Sequence, residues 1–345
     1  MERSRCTTEP RLIYNILAEI YTCSRQVLQE GIIKPKPWQS LINPSTLEFT
    51  RQARQTRGFS AWDWLHGYFY ARWPYLYISV GTGEHWLARL FGPPVSLVMR
   101  LIPKSPPNGK PSPGFADSYH GKVVPLASAR QLVTVNEDLR LGDLEQIIPY
   151  PRARDIILQN PDHIVAMDCP CRVARPNPCL PLGVCLLIGE PFASFVAEHH
   201  PQRARWINAE EAVEILRQED ERGHAHHAFF KDAMLGRFYA ICNCCSCCCG
   251  AIQAHRNGTP MLASSGYLAR VDEDLCTGCQ TCSGYCQFQA LSFQSGFLAT
   301  VDSDICMGCG ICIDKCPNGA LSLQRAPEKG IPLELETLMK QAICR

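Results

Sequence analysis

Apolar positions along the chain fall into distinct regimes. Over residues 11–30, Ile13, Ile16, Leu17, Ile20, Val27 and Leu28 recur at helical spacing and Gly31 follows, which predicts an amphipathic helix. Residues 59–102 are dense in Trp, Tyr and Phe, a composition that predicts a buried aromatic core or a partner surface. The five prolines from Pro103 to Pro113 predict a loop and a domain boundary.

From Val123 to Ala263 short apolar runs alternate with helical patterns. Helices are expected around 128–133, 143–148 and 152–159. Ile164–Met167 and Val184–Ile188 read as buried strands, the second followed by Gly189 and a helical stretch to His199. Asn208-Ala-Glu-Glu211 opens a helix carrying Ala209, Ala212, Val213 and Leu216, and Gly223 closes it. Phe238–Ile241 reads as another short strand. Two of these strands run straight into cysteines, which predicts an α/β domain with a metal site at one sheet edge. Leu333 to Cys344 has the pattern of a short amphipathic helix.

Between these last segments the chain repeats itself. Val271-Asp-Glu-Asp-Leu-Cys276 matches Val301-Asp-Ser-Asp-Ile-Cys306, and Ala290-Leu-Ser-Phe293 matches Ala320-Leu-Ser-Leu323, at one constant offset. Each copy reads as strand, loop, short helical turn, strand. The loops carry cysteines 276, 279, 282 and 286, then 306, 309, 312 and 316. This is C-x2-C-x2-C-x3-C written twice, and it resembles the bacterial two-cluster ferredoxin. A cubane takes four thiolates at its corners; one loop supplies three, so the fourth comes from elsewhere. The resemblance implies crossed ligation: Cys276, Cys279, Cys282 and Cys316 hold one [4Fe–4S] cluster, and Cys306, Cys309, Cys312 and Cys286 hold the other. The first copy departs from the second in having Gln280 for Gly310 and Gln287 for Pro317.

Composition narrows the function classes. Of 21 cysteines, 18 lie between Asp168 and Pro317. The count is odd and many are adjacent, so a disulfide framework is a poor account of them. The N-terminal sequence has no apolar signal region, which leads to an expected cytoplasmic location. Net charge is +1 with no basic stripe, so nucleic acid is not an expected partner. The most apolar stretch, Tyr68 to Ile102, is interrupted by charges and prolines and does not read as a membrane span.

Ten clustered cysteines remain upstream: 169, 171, 179 and 185, then 242, 244, 245, 247, 248 and 249. Thiols at this density have no packing advantage over Val or Ala, and the C-x2-4-C knuckles of zinc sites are not obvious among them. An additional iron–sulfur centre is the expectation, with candidate ligands Cys171, Cys179, Cys185, Cys244, Cys245 and Cys248. His199, His200, His224, His226 and His227 are candidates for ligation or proton transfer, and Arg172 and Arg175 for charge balance. Cys6, Cys23 and Cys344 are assigned to no metal. These blocks, with the downstream repeat, resemble a family of 4Fe–4S ferredoxin-type iron–sulfur proteins of anaerobic bacteria over residues 60–320.

The expected fold class is α+β/α/β: a helical, aromatic-rich region (1–115), a Cys-rich α/β iron–sulfur domain (116–265), a two-cluster ferredoxin module of pseudo-two-fold, ββ-loop-helix build (266–326) and a C-terminal helix (327–345). The expected function is electron transfer between a redox partner protein and the upstream cluster through two [4Fe–4S] cubanes. Acidic residues beside the runs (Asp272, Glu273, Asp274, Asp302, Asp304) suit a low potential. The alternatives are an iron–sulfur reductase with its catalytic cluster in the upstream domain, and a zinc-stabilised docking or assembly protein. No flavin or nicotinamide fingerprint is present.

Overall fold

The computed structural model describes residues 43–88, 115–142, 144–293 and 298–343. The chain divides into two units, Met1–Leu47 and Glu48–Arg345, and the second carries every site described below. The helix expected over 11–30 lies outside the described residues.

After helix α1 (Pro44–Gln55), the aromatic stretch forms helices α2 (Ala61–Arg72) and α3 (Pro74–Gly81). Ser60 and Asp63 form a reciprocal capping box at the start of α2, and Pro74 sits at the first turn of α3, where its missing N–H costs nothing. A short helix α4 (Phe115–Ser118) leads into strand β1 (Tyr119–Val124), and α5 (Leu126–Val133) follows, containing the expected 128–133 segment.

The helices expected at 143–148 and 152–159 are replaced by a hairpin. Strand β2 (Leu139–Leu141) pairs antiparallel with β3 (Ile156–Leu158), with Leu139 opposite Leu158, and turns occupy 145–147. Pro149 and Pro151 explain the difference: each fixes φ and lacks a donor, and the branched pair Ile156-Ile157 favours extended backbone.

The main sheet is built from β1 and later strands: β4 (Ile164–Asp168), β5 (Gly183–Ile188), β6 (Ala204–Ile207), β7 (Ala225–Lys231), β8 (Arg237–Cys244) and β9 (Leu262–Ala263). Between them lie α6 (Pro170–Val173), α7 (Phe192–His199), α8 (Ala209–Glu221) and α9 (Gly250–Arg256). Asn208 caps α8 through the Glu211 N–H at 2.9 Å, as its sequence predicts, and Gly223 follows at φ +82°. The strand order is β6-β4-β5-β8-β7-β1-β9, antiparallel throughout except for β1 beside β9. The chain is thus mixed α/β, with a sheet far more antiparallel than the alternating pattern implied.

Topology places the cysteines. Strands β4 and β8 both run antiparallel to β5, so they point the same way and end together where β5 begins. The thiol-bearing end therefore belongs to three central strands, not to an edge strand. Residues two apart on a strand share a face. Cys185 and Leu187 of β5 and Ala240, Cys242 and Cys244 of β8 accordingly line one cavity, roofed by Tyr70, Ala71, Pro74 and Ile78 of α2 and α3.

The repeat folds as β10 (Tyr267–Val271), α10 (Thr281–Tyr285) and β11 (Leu291–Phe293), then β12 (Ala299–Val301), α11 (Ile311–Asp314) and β13 (Leu321–Arg325). Strand β10 pairs with β13, and β11 with β12. Leu268, Ala269, Ala290, Ala299 and Leu321 form a small separate core, while Phe288 and Met307 join the large one. Helix α12 (Leu335–Ile343) matches the expected C-terminal helix. Among the described residues no helix is long and apolar enough to cross a membrane.

Candidate iron–sulfur sites

In the C-terminal module, matched hydrogen bonds tie the two copies together. Asp272 N–H donates to Ala320 O and Asp302 N–H to Ala290 O, both at 2.8 Å. Asp302 Oδ1 accepts the Asp304 N–H at 2.9 Å, and Asp272 Oδ1 accepts the Asp274 N–H at 3.0 Å, so these acids shape the loops as well as charging them. Ala290 and Ala320 N–H groups donate to Cys286 and Cys316 Sγ at 3.3 Å each. Gln280 takes φ +64°, in the same left-handed region as Gly310 at +90°.

Eight thiols line two cavities. Cys276, Cys279, Cys282 and Cys316 line one, and Cys286, Cys306, Cys309 and Cys312 line the other. Each cavity thus draws its fourth thiol from the opposite run. Two such groups of four soft donors, each with a backbone N–H aimed at a thiol, fit the thiolate set a cubane takes.

The two cavities differ in surroundings. Cys279 is exposed, and its hydrogen bond to Thr281 at 3.4 Å draws its pKa below the ordinary thiol value. Burial pushes Cys309 up to about 12 and raises Cys312 as well. The loop carrying Cys306 and Cys309 is pressed onto the segment leading into β10: Ser265 N–H donates to Met307 O at 3.1 Å and Ser265 Oγ donates to Gly308 O at 2.7 Å. Gly308 sits at φ +63°, and an added Cβ would strike the Tyr267 carbonyl and Ser265 Oγ.

Gln287 explains why the first run departs from the second. Its side chain accepts the Ser246 N–H at 2.7 Å and donates to Gly223 O at 2.7 Å, and its carbonyl accepts from Arg256 at 2.5 Å. A proline there would supply none of the side-chain bonds. Gln287 therefore fastens the loop beside Cys286 to the upstream cysteine loop.

The six upstream candidates are not brought together. Cys179, Cys245 and Cys248 meet Cys247, which the sequence reading left out; all four Sγ atoms lie within 4.8 Å of one another. Cys179 and Cys247 approach to 3.1 Å, and Cys247 and Cys248 to 3.6 Å. Cys171, Cys185 and Cys244 belong to a second group with Cys169, Cys242 and Cys249, also missed. All six line one cavity at the end of the sheet where β5 begins. The Cys185–Cys242 separation is 4.0 Å. Interaction with Cys185, then Cys244, pulls Cys242 down to about 6, while Cys171 is the leading cause pushing Cys169 up to about 12.

A usable signal existed in the sequence. Consecutive side chains on extended backbone point opposite ways. Cys244 ends β8 and Cys249 is extended, while their neighbours Cys245 and Cys248 fall in the compact group of four and also reach the cavity wall.

The basic residues and histidines brace this site. Arg172 is 1% exposed and pairs with Glu219, also bonding His224 Nδ1 at 3.0 Å and Asn243 O at 3.1 Å. Arg175 pairs with Glu84 and donates to Cys248 O at 3.2 Å. His199 stacks on Phe195 at 4.1 Å, His200 bonds Ala71 O at 2.8 Å, and His226 bonds Asn243 Oδ1 at 2.6 Å. None of the five histidines lines the thiol cavity. His227 is fully buried between Phe229 at 6.1 Å and Phe288 at 6.2 Å, and burial pulls it down to about 3.

A family model described as a 4Fe-4S dicluster domain matches residues 269–323. No curated protein matches the chain. The family match and the compact upstream thiol group support an iron–sulfur protein.

Proposed function

We propose that the protein is an electron carrier whose C-terminal thiols hold two [4Fe–4S] clusters and whose upstream thiols hold further metal. Bound there, the clusters supply one-electron transfer at potentials set by charge, hydrogen bonding and exposure. The observation that carries the reading is the convergence of four cysteines on each of two cavities, with Cys286 and Cys316 exchanged between runs.

The residues give the carrier a direction. The Cys276–Cys279–Cys282–Cys316 set is the outward one, with Cys279 at the surface for a redox partner protein. The Cys306–Cys309–Cys312–Cys286 set is the inward one: Met307 and Phe288 pack in the large core, and Gln287 ties its loop to the upstream cysteines. A reductase is the second reading, favoured by the larger cavity beside the upstream thiols.

The test is the double variant Cys279→Ser/Cys316→Ser in anaerobically purified protein. Crossed ligation puts both changes in one set, so about four irons leave and about four C-terminal irons stay. Loss of both clusters would show uncrossed ligation, and an iron-free wild type would end the reading altogether.

A further inference from the structure

The ten upstream thiols divide by shape. In the Cys179–Cys245–Cys247–Cys248 group all Sγ atoms close to within 4.8 Å. A metal–sulfur bond of about 2.3 Å sets tetrahedral thiolates about 3.8 Å apart around one ion, so this group has single-ion dimensions. A cubane separates its thiolates further, because each binds a different iron. Among the described residues no other group of three or more such ligand atoms is this compact, and the C-terminal sets are not.

The set of Cys169, Cys171, Cys185, Cys242, Cys244 and Cys249 is more open. All six line one cavity, with Cys185 and Cys242 4.0 Å apart, yet no three draw within 4.8 Å of one another. Six donors exceed what one tetrahedral ion takes. The cavity they line, whose wall Cys245 and Cys248 also reach, has a volume of about 80 Å³, against about 10 and 20 Å³ for the two C-terminal cavities. Its other walls are largely apolar, among them Ile78, Phe229 and Met234, and among the described residues Arg172, already paired to Glu219, is the one basic side chain on them. An iron–sulfide core would supply the positive charge that several thiolates need.

We propose that these six thiols hold a polynuclear iron–sulfur centre of their own, separate from a single tetrahedral ion in the Cys179–Cys245–Cys247–Cys248 group. The inference rests on the reading that the upstream thiols are metal ligands. Its ligand is an inorganic iron–sulfide core larger than one ion and bound by more than four thiolates.

Acid-labile sulfide decides it on the wild-type chain, purified without oxygen. The two C-terminal cubanes contribute about eight sulfides; a total clearly above eight is expected, and eight would overturn the proposal even with the electron-carrier reading intact. Location is read from two variants. Cys169→Ser/Cys249→Ser should lose iron and sulfide together and keep the C-terminal eight of each, which also reports folding. Cys245→Ser/Cys247→Ser should lose one metal ion and no sulfide. Sulfide lost from the second variant and kept by the first would overturn the assignment. An iron-free wild type would instead sink the function itself.

Discussion

Arg172 stands beside a cysteine in the sequence, where charge balance or solvent exposure are the natural readings. Its side chain does neither job alone. It is buried against Glu219, with both side chains 1% exposed, and it bonds the backbone of β8 at Asn243. A buried ion pair is a weak net stabiliser, but removing one partner leaves the other charge stranded. Arg172→Met is therefore expected to cost about 3 kcal/mol, seen as a lower urea midpoint under anaerobic conditions. Arg172→Met/Glu219→Met should recover part of that loss, because no lone carboxylate remains. A double variant as unstable as the sum of the two singles would show that the pair is uncoupled.

At the scale of elements, the telling contact is between the loop after α10 and the loop after β8. The Gln287 side chain spans Gly223 and Ser246, and Gly223 has no room for a Cβ against Tyr285 at 2.5 Å. Gln287→Ala takes the acceptor from the Ser246 N–H. About 1 kcal/mol per lost hydrogen bond predicts several-fold faster hydrogen exchange at Ser246, with the iron content unchanged. Unaltered exchange would mean that this bond does not hold the loops together. The elements themselves were unevenly legible. Asn208 and Gly223 marked α8 because caps are local chemistry, and Phe238–Ile241 marked β8 because a dense apolar run suits a buried strand. The β2–β3 hairpin was missed: three-residue strands are too short to show a period, and the proline signal was outweighed by apolar spacing.

Across the whole molecule, buried bases couple stability to pH. His120, stacked on Tyr150 at 3.8 Å, is pulled down to about 4 by burial, and His227 to about 3. An unfolded chain protonates both near pH 6.5, while the folded one stays neutral until pH 4 or below. The unfolded state thus binds more protons in that window, and stability falls as pH drops through it. His120→Phe keeps a flat ring and removes the proton site. Between pH 6.5 and 4.5 its stability should fall by about 2 kcal/mol less than that of the wild type. Parallel losses in urea midpoint for both proteins would refute this account.

Sequence alone determined the C-terminal thiol runs, their thirty-residue offset and the strands feeding the upstream cysteines. Those features are local: three ligands of a cubane fit in one loop, and spacing along a strand sets which side a residue faces. Only the tertiary structure decided that four of the ten upstream thiols close into a compact group apart from the other six, and that Gln287 joins the C-terminal repeat to the upstream cysteine loop. Both depend on β4 and β8 lying on either side of β5, which brings residues some seventy positions apart to one end of the sheet. Neighbours in sequence such as Cys244 and Cys245 then fall in different thiol groups while both reach one cavity, because long-range strand order settles what each side chain meets.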